Sequence, residues 1–423
     1  GTYINVDSSK KAVVTYASRG NVLLPLVNTW GPQAKLIKIE AADITSADAL
    51  LGNSVDKILM LNEAFKGAGT VLVYNFNKGE AAKAVKDDLT ITAKYAGTRG
   101  NDIKVACVSN PAGGYDISVI LETATVEEFS GVNDVAAAAA LESRYVIFSG
   151  IGELSDFAGI SLEGGTSAEI AKADITGMLD AVEDENISAI AFPFADDELK
   201  AVALSKARYL RENCGKSIQI VVADYKDADY EGIINVTNSY ALTDGTELTT
   251  AQATAYVAAI TASATELVSN TYRQLADADS VIGKKTNEEA EAAIQQGEFF
   301  FTQQGESVIV EYDINSLHTF TEKRSESFRK NKVIRVYDAV SDTIRETFPP
   351  NKFPNSPIGW DLMDGLSQTI LQYFLDEGAI KDVDIANDMR VSRSECNGDS
   401  VFFDVRIHAV DAAEKLYFTV VTD

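Results

Sequence analysis

The chain has 423 residues, and 46% of them are apolar, which indicates a globular protein with about two to four domains. Its 63 acidic residues outnumber 37 lysines and arginines, so the formal net charge is −26. Because phosphate binding requires clustered Lys and Arg, this balance argues against a nucleic-acid partner. It also makes copies of the chain repel one another, so any assembly must rest on apolar contacts and local charge complementarity.

The first twenty residues are predicted to form a strand arm, because residues 2–6 and 12–16 are both strand-like and apolar. An apolar strand without a partner in its own domain is a template for pairing with another chain. Self-assembly is therefore the first hypothesis. The start of the sequence lacks a basic-then-apolar leader, and no apolar run reaches about 18 residues. We therefore expect synthesis in the cytoplasm and no direct membrane insertion.

Residues 21–86 and 164–315 alternate between strand-like and helix-like segments, which predicts a layered α/β domain with helices on the faces of a sheet. Strands are expected at 22–27, 70–74, 187–194 and 218–222, and helices at 47–65, 170–182 and 196–213. Between the two parts, residues 87–163 are predicted to form a small inserted β domain with strands at 89–95, 103–108, 115–121 and 145–148.

A hairpin turn is predicted late in the α/β domain, at Asp244 and Gly245. Thr249 or Thr250 is then expected to cap an alanine-rich helix that begins at Ala251.

Residues 316–423 are predicted to form an α+β assembly domain that ends in a second strand arm. Helices are expected at 325–348 and 361–375, and strands at 401–410 and 415–421. The last strand has two possible partners. It could pair with 401–410 in a hairpin, or it could join the sheet of another subunit.

Energetics alone leave that choice open. Burial of the apolar side chains between 416 and 421 contributes about 1.5–3 kcal/mol each, and ordering the strand costs about 1–2 kcal/mol per residue. The net gain is marginal for one arm. It becomes large only where many identical contacts form at once, as in a lattice.

Motifs for catalysis are scarce in this sequence. The chain has two histidines, His318 and His408, and both are expected to be ordinary polar residues. Gly150 and Gly152 follow a strand but lack the third glycine of a nucleotide-binding loop. Cys107, Cys214 and Cys396 are far apart and odd in number, which favours reduced thiols. We predict that the chain is not an enzyme and holds no cofactor or metal.

Six stretches follow one another in an order typical of one family. They are TYINV at 2–6 with SRG at 18–20 and WGP at 30–32, YAGTRGNDI at 95–103, YALTDGTELT at 240–249 with the helix that follows, VEYDINSL at 310–317, FRKNKVIR at 328–335 and EKLYFTV at 414–420. Through them the chain resembles the contractile tail sheath proteins of myophages and phage-tail-like bacteriocins over essentially its whole length. Residues 349–364 match no pattern of that family, so no role is carried over to them.

The resemblance implies a structural subunit that polymerises helically around a tail tube and contracts to drive the tube through the bacterial envelope. It implies a location in a virion tail or phage-tail-like particle. The implied partners are further copies of the chain, the tail tube protein, and baseplate and tail terminator proteins.

In that family the terminal arms add strands to sheets of neighbouring subunits. Here this role would fall to the apolar arm residues Tyr3, Ile4, Val6, Val13, Val14, Tyr16, Leu416, Tyr417, Phe418, Val420 and Val421. The resemblance thus favours a shared sheet over a hairpin for the last strand.

A cluster of cations opens the first helix of the C-terminal segment. Its members are Lys323, Arg324, Arg329, Lys330, Lys332 and Arg335, with only Glu322 and Glu326 of opposite charge among them. Cations near a helix N-terminus oppose the helix dipole, so helix stability does not require them. We predict that this basic patch faces an acidic partner, either the tube or an adjacent subunit. The competing interpretation is a solvated helix end balanced by its own domain.

Two other functions remain open at this point. The strand-ended termini and the inserted β domain also suit another phage tail, baseplate or surface-layer structural protein. An α/β enzyme with an unrecognised site is the third possibility.

Overall fold

The computed structural model describes Val14 and residues 20–414. The rest of the predicted N-terminal arm and the strand predicted at 415–421 lie outside these residues. Within the described part of the chain, no helix combines the length and apolar content needed to cross a bilayer.

The first segment builds one edge of a large sheet. Its elements are β1 (Asn21–Val27), β2 (Lys35–Glu40), α1 (Asp48–Leu51), α2 (Leu59–Phe65) and β3 (Thr70–Phe76). The single helix predicted at 47–65 is wrong, because Gly52 ends α1 in the left-handed conformation with φ of 71°. A side chain could not replace Gly52, since its Cβ would lie 2.8 Å from the indole ring of Trp30.

The second segment forms two antiparallel sheets. Its elements are β4 (Lys83–Lys86), β5 (Leu89–Ala93), β6 (Ile103–Ser109), β7 (Tyr115–Leu121), β8 (Ala124–Val132), α3 (Val135–Ala139), β9 (Val146–Gly150) and β10 (Phe157–Ser161). One sheet has the order β4-β5-β9 and the other β10-β6-β7-β8. Their inner faces share a core that includes Ile91, Val105 and Ile117. Cys107 is part of that core, and burial raises the pKa of its thiol to about 11.

The third segment returns to α/β alternation. Its elements are α4 (Lys172–Ala181), β11 (Ala189–Ala191), α5 (Asp197–Arg208), β12 (Gln219–Ala223), β13 (Ile233–Val236), β14 (Ser239–Leu242), α6 (Thr250–Ser263), β15 (Ala278–Ile282), α7 (Asn287–Gln295), β16 (Glu298–Phe299), β17 (Phe301–Gln304) and β18 (Ser307–Val310). Thr249 caps α6 as expected, and its hydroxyl accepts a hydrogen bond from the backbone N–H of Gln252.

The first and third segments share one seven-stranded sheet with the order β16-β13-β12-β11-β1-β3-β2. All neighbours in it are parallel except β2, which runs antiparallel to β3. Helices α2 and α6 cover one face, and α4 and α5 cover the other. Ten of the fourteen residues of α6 are buried, because this alanine-rich helix packs between the sheet and α2.

The junction between the large sheet and the inserted β domain is built around Trp30. Its indole N–H donates to the Ala49 carbonyl at 2.9 Å, and its ring packs edge-on against Tyr95 at 5.3 Å between centroids. Gly97 lies beside it with φ of 117°, and an added Cβ would lie 1.8 Å from the Thr29 carbonyl oxygen. The glycine is required there by this close approach of two backbones.

The fourth segment contains two long helices and four short strands. They are α8 (Asn331–Thr347), α9 (Pro357–Asp376), β19 (Ile380–Lys381), β20 (Met389–Val391), β21 (Phe403–Val405) and β22 (His408–Ala409). The helix predicted at 325–348 begins only at Asn331, because Lys330 has an extended backbone after a short 3₁₀ turn. The continuous strand predicted at 401–410 is wrong, since β21 pairs with β20 and β22 pairs with β19.

Together these elements confirm the predicted fold class. A layered α/β domain carries an inserted β domain and is followed by an α+β unit built on α8 and α9.

Candidate functional site

The six cations of the predicted basic patch do not share one surface. Lys323 is exposed and Arg324 is half-buried, whereas Arg329, Lys332 and Arg335 are buried inside the subunit. Burial lowers the pKa of Arg329 and of Lys332, because it disfavours the charged form of a side chain. Contact with a tube or a neighbour therefore remains a prediction only for Lys323 and Arg324.

Carboxylates from distant parts of the chain neutralise these cations. Arg324 donates to Glu231 at 2.8 Å and to Glu212 at 2.6 Å. Partial burial lowers the pKa of Arg324, but the two carboxylates outweigh that effect and raise it overall. Arg324 therefore fits the competing interpretation, in which carboxylates of the same subunit neutralise the positive charge before α8.

Arg335 forms a fully buried ion pair with Asp313. The two side chains are 0% and 1% exposed, and their nearest nitrogen and oxygen atoms are 2.7 Å apart. Asp313 also accepts from the Asn331 side chain and from the backbone N–H of Asn270, both at 2.9 Å. This carboxylate lies at the N-terminal end of α8, where a negative charge stabilises the helix dipole.

Glu414 is a second carboxylate at the same end of α8. Its side chain is 8% exposed and forms an ion pair with Lys330. Its other oxygen accepts hydrogen bonds from Ser269 at 2.8 Å and from Thr271 at 2.6 Å. Four residues earlier, the Val410 carbonyl accepts from Lys332. The chain is therefore attached to the first turn of α8 immediately before residue 415.

These contacts join into one cluster, which we call the arm-root clamp. It consists of Ser269, Thr271, Asp313, Lys330, Arg335 and Glu414. Thr271 connects the Glu414 carboxylate to the backbone of Asp313, because its hydroxyl donates to Glu414 and accepts from the backbone N–H of Asp313 at 2.9 Å. The clamp therefore links the α/β domain, α8 and the last residue before the predicted C-terminal strand.

The opposite end of the chain meets the same unit. Val14, the described residue of the predicted N-terminal arm, packs against the apolar core formed by α8, α9 and the short strands that follow. The other predicted arm residues lie outside the described part of the chain.

Helix α8 is also fastened to the α/β domain along its length. Asp338 accepts two hydrogen bonds from Arg211, at 2.7 and 3.1 Å, and both side chains are largely buried. One turn further, Asp342 accepts from Ser217 at 2.7 Å. Because charged and polar contacts of this kind are directional, they hold α8 in one orientation on the α/β domain.

His318 and the glycine loop at Gly152 both make close contacts inside the folded subunit. The His318 ring nitrogen Nδ1 lies 2.9 Å from the Ser316 carbonyl oxygen, and the His318 backbone N–H donates to Asp229 at 2.9 Å. At Gly152 an added Cβ would lie 2.0 Å from a carboxylate oxygen of Asp88. A carboxylate in that position would repel a phosphate group, so the loop is not suited to a nucleotide.

Comparison with known families decides the class of this protein. Family models match four consecutive parts of the chain: the N-terminal region of domain III of the tail sheath protein Gp18 (residues 19–75), the phage tail sheath β-sandwich domain (77–168), the central domain (168–316) and the C-terminal domain (323–423). The chain belongs to the phage tail sheath protein family. Both this result and the order of the domains confirm the resemblance noted from the sequence.

Several relatives cover this sheath protein almost end to end. The phage-like element PBSX protein XkdK of Bacillus subtilis is 35% identical over 99% of this chain and 96% of its own length. The solved sheath tail protein of Desulfitobacterium hafniense is 36% identical, with a TM-score of 0.89 and 99% of both chains covered. That of Listeria innocua is 34% identical, with a TM-score of 0.80 and 96% of both chains covered.

A more distant structure shares the fold alone. The helical sheath of the anti-feeding prophage in its contracted state is 14% identical, with a TM-score of 0.60 over 100% of this chain and 99% of that chain.

The clamp carboxylates and hydroxyls were not selected from the sequence. Asp313 and Glu414 do stand inside two of the family-like stretches, VEYDINSL and EKLYFTV, so a signal was present for them. Ser269 and Thr271 follow α6 in a loop without a recognisable motif, and only the folded chain brings them to Glu414.

Proposed function

We propose that this sheath protein assembles into a helical homopolymer around a tail tube, and that contraction of the polymer drives the tube through a bacterial envelope. The observation that carries the proposal is the match of the whole chain, rather than of one domain, to solved sheath tail proteins. The protein acts mechanically in this proposal and catalyses no reaction. It is synthesised in the bacterial cytoplasm and then belongs to a virion tail or a phage-tail-like particle.

The predicted arms are the links between subunits in this proposal. Two contacts support it: Val14 packs on the core of the α8–α9 unit, and Glu414 is anchored at the start of α8. Both arms are thus attached to the same unit. Segments 1–20 and 415–423 would add strands to neighbouring subunits, with the apolar arm residues other than Val14 as the buried contacts.

Co-expression with a tail tube protein tests the proposal. The tube protein carries an affinity tag, and the purified material is imaged by electron microscopy. The proposal predicts tubes enclosed by an outer helical layer of the sheath protein, and end-binding baseplate and terminator proteins would then cap them. Bare tubes, with the sheath protein left in the unbound fraction, would contradict it.

A contact of the remaining basic surface with an acidic partner is part of the proposal. We expect Lys323→Glu to lower the fraction of subunits in sheathed tubes several-fold, because this exposed side chain would then repel an acidic neighbour or tube. Lys284→Glu, at an exposed site in the α/β domain, has the same charge change and should assemble normally. Equal sheathing of both variants and the unmodified protein would remove Lys323 from the interface.

A further inference from the structure

The geometry points to Glu414 as the positioning residue of the proposed C-terminal arm: the arm-root clamp fixes the place and orientation of residue 414, directly before the first residue of that arm. This inference rests on the proposed function, because it assigns the arm a role in assembly. It adds a group of residues that act on the arm from within the subunit.

The first step of the argument is the chemistry of Glu414. One carboxylate oxygen accepts from two hydroxyls, those of Ser269 and Thr271, and the other binds the Lys330 ammonium. Hydrogen bonds to a charged acceptor are strong and directional. The donors lie on two separate parts of the chain, the loop after α6 and the residue that precedes α8. Three donors on two elements restrict both the position and the rotation of residue 414.

The second step is the rigidity of the donors. The loop that carries Ser269 and Thr271 is held by Asp313, which accepts from the backbone N–H of Asn270 and binds Arg335 of α8. Directly after Thr271, the backbone N–H of Tyr272 donates to the Val310 carbonyl at 2.8 Å, which ties the loop to the strand Ser307–Val310. The donors therefore belong to the folded body and not to a mobile surface.

The third step is the burial of the contact. The Glu414 and Lys330 side chains are 8% and 12% exposed, so this ion pair is only weakly screened by solvent salt. Lys330 also lies over the Tyr312 ring, with its nitrogen 3.9 Å from the ring centroid. An ordinary surface ion pair is solvated and adds little order, whereas this pair is largely buried at the residue that precedes the proposed arm.

The consequence concerns assembly rather than folding. In a polymer each arm must reach the same place on a neighbour, so a clamp that sets its direction raises the effective concentration of the arm there. A substitution in the clamp leaves the sequence of the arm unchanged, but it lets the arm adopt a wider range of positions. Assembly should weaken at every subunit at once.

The test compares Glu414→Gln with Glu395→Gln, an equal charge change at an exposed site of the same unit. Glu414→Gln should remain folded, with a midpoint of thermal unfolding within about 2–4 °C of the unmodified protein. Its fraction in pelletable tubes should fall at least about tenfold, because the loss is repeated at every arm. Glu395→Gln should assemble normally. Normal tube formation by Glu414→Gln would overturn the inference.

A second variant separates this inference from the proposed function. Ser269→Ala with Thr271→Ala removes two donors and leaves the arm sequence unchanged, so trypsin meets the same site at Lys415. In unassembled subunits, cleavage after Lys415 should be several-fold faster in this variant, because the arm root is less ordered. Equal cleavage rates would contradict the clamp even if the unmodified chain formed no tubes. If the unmodified chain formed no tubes but the variant were still cleaved faster than it, only the proposed function would be contradicted.

Discussion

Removal of residues 415–423 is expected to leave a folded subunit that no longer forms tubes. The four apolar cores of the described residues are built from earlier parts of the chain, and Glu414 with its hydroxyl and lysine partners is retained. The variant should therefore unfold cooperatively near the temperature of the unmodified protein, as followed by circular dichroism. Sedimentation should show subunits only, because the strand that we propose to join neighbours is missing.

Point substitutions sharpen this expectation. Phe418→Asp should reproduce the deletion, since a charge would be unfavourable in the buried strand contact that we propose for this residue, whereas Thr422→Asp near the end of the segment should assemble. At the other end, a deletion of residues 1–13 keeps Val14 and its packing on the α8–α9 core. If the 415–423 deletion and the 1–13 deletion both formed normal tubes, the arm proposal would be wrong.

Arg335→Ala is expected to destabilise the protein by about 3–5 kcal/mol, because it leaves Asp313 as an unpaired charge in the interior. Asp313 is 1% exposed and would retain only its hydrogen bonds to Asn331 and Asn270. The contact of Arg335 with the Val268 carbonyl, at 2.6 Å, would also be lost. Urea unfolding monitored by circular dichroism measures the change as a lower transition midpoint.

Arg393→Ala is the matched control for that substitution. Arg393 also forms ion pairs, with Asp361 and Asp364 at 2.7 and 2.8 Å, but 48% of its side chain is exposed. Solvent screening limits such a pair to about 0–1 kcal/mol, so its transition should hardly move. Equal shifts of the transition midpoint in the two variants would show that burial of the Arg335 pair does not increase its contribution to stability.

Much of the fold followed from local patterns. The alternation of strands and helices predicted the layered α/β domain because buried parallel strands and amphipathic helices have different apolar periods. A cap at Thr249 or Thr250 was predicted because a threonine before an alanine-rich helix is a local signal, and the structure places the cap at Thr249. By contrast, the break at Gly52 depends on Trp30, which lies more than twenty residues away and occupies the space beside it.

The candidate site was harder to predict, because its charges come together only in the folded chain. The local excess of cations before α8 indicated a basic surface, yet Asp313, Glu231 and Glu414 reach those cations from other segments. The net charge of residues 321–335 therefore leaves out the carboxylates that neutralise these cations in the folded chain. The family-like stretches did contain Asp313 and Glu414, but a stretch of sequence does not state which residues of another segment it contacts.

Negative-stain electron microscopy of the purified full chain tests the central claim most directly. At a salt concentration that screens its net charge of −26, the account predicts long hollow helical tubes of uniform diameter. Single folded subunits, or closed particles of limited size, at every salt and protein concentration would contradict the assignment of this chain as a self-assembling sheath subunit.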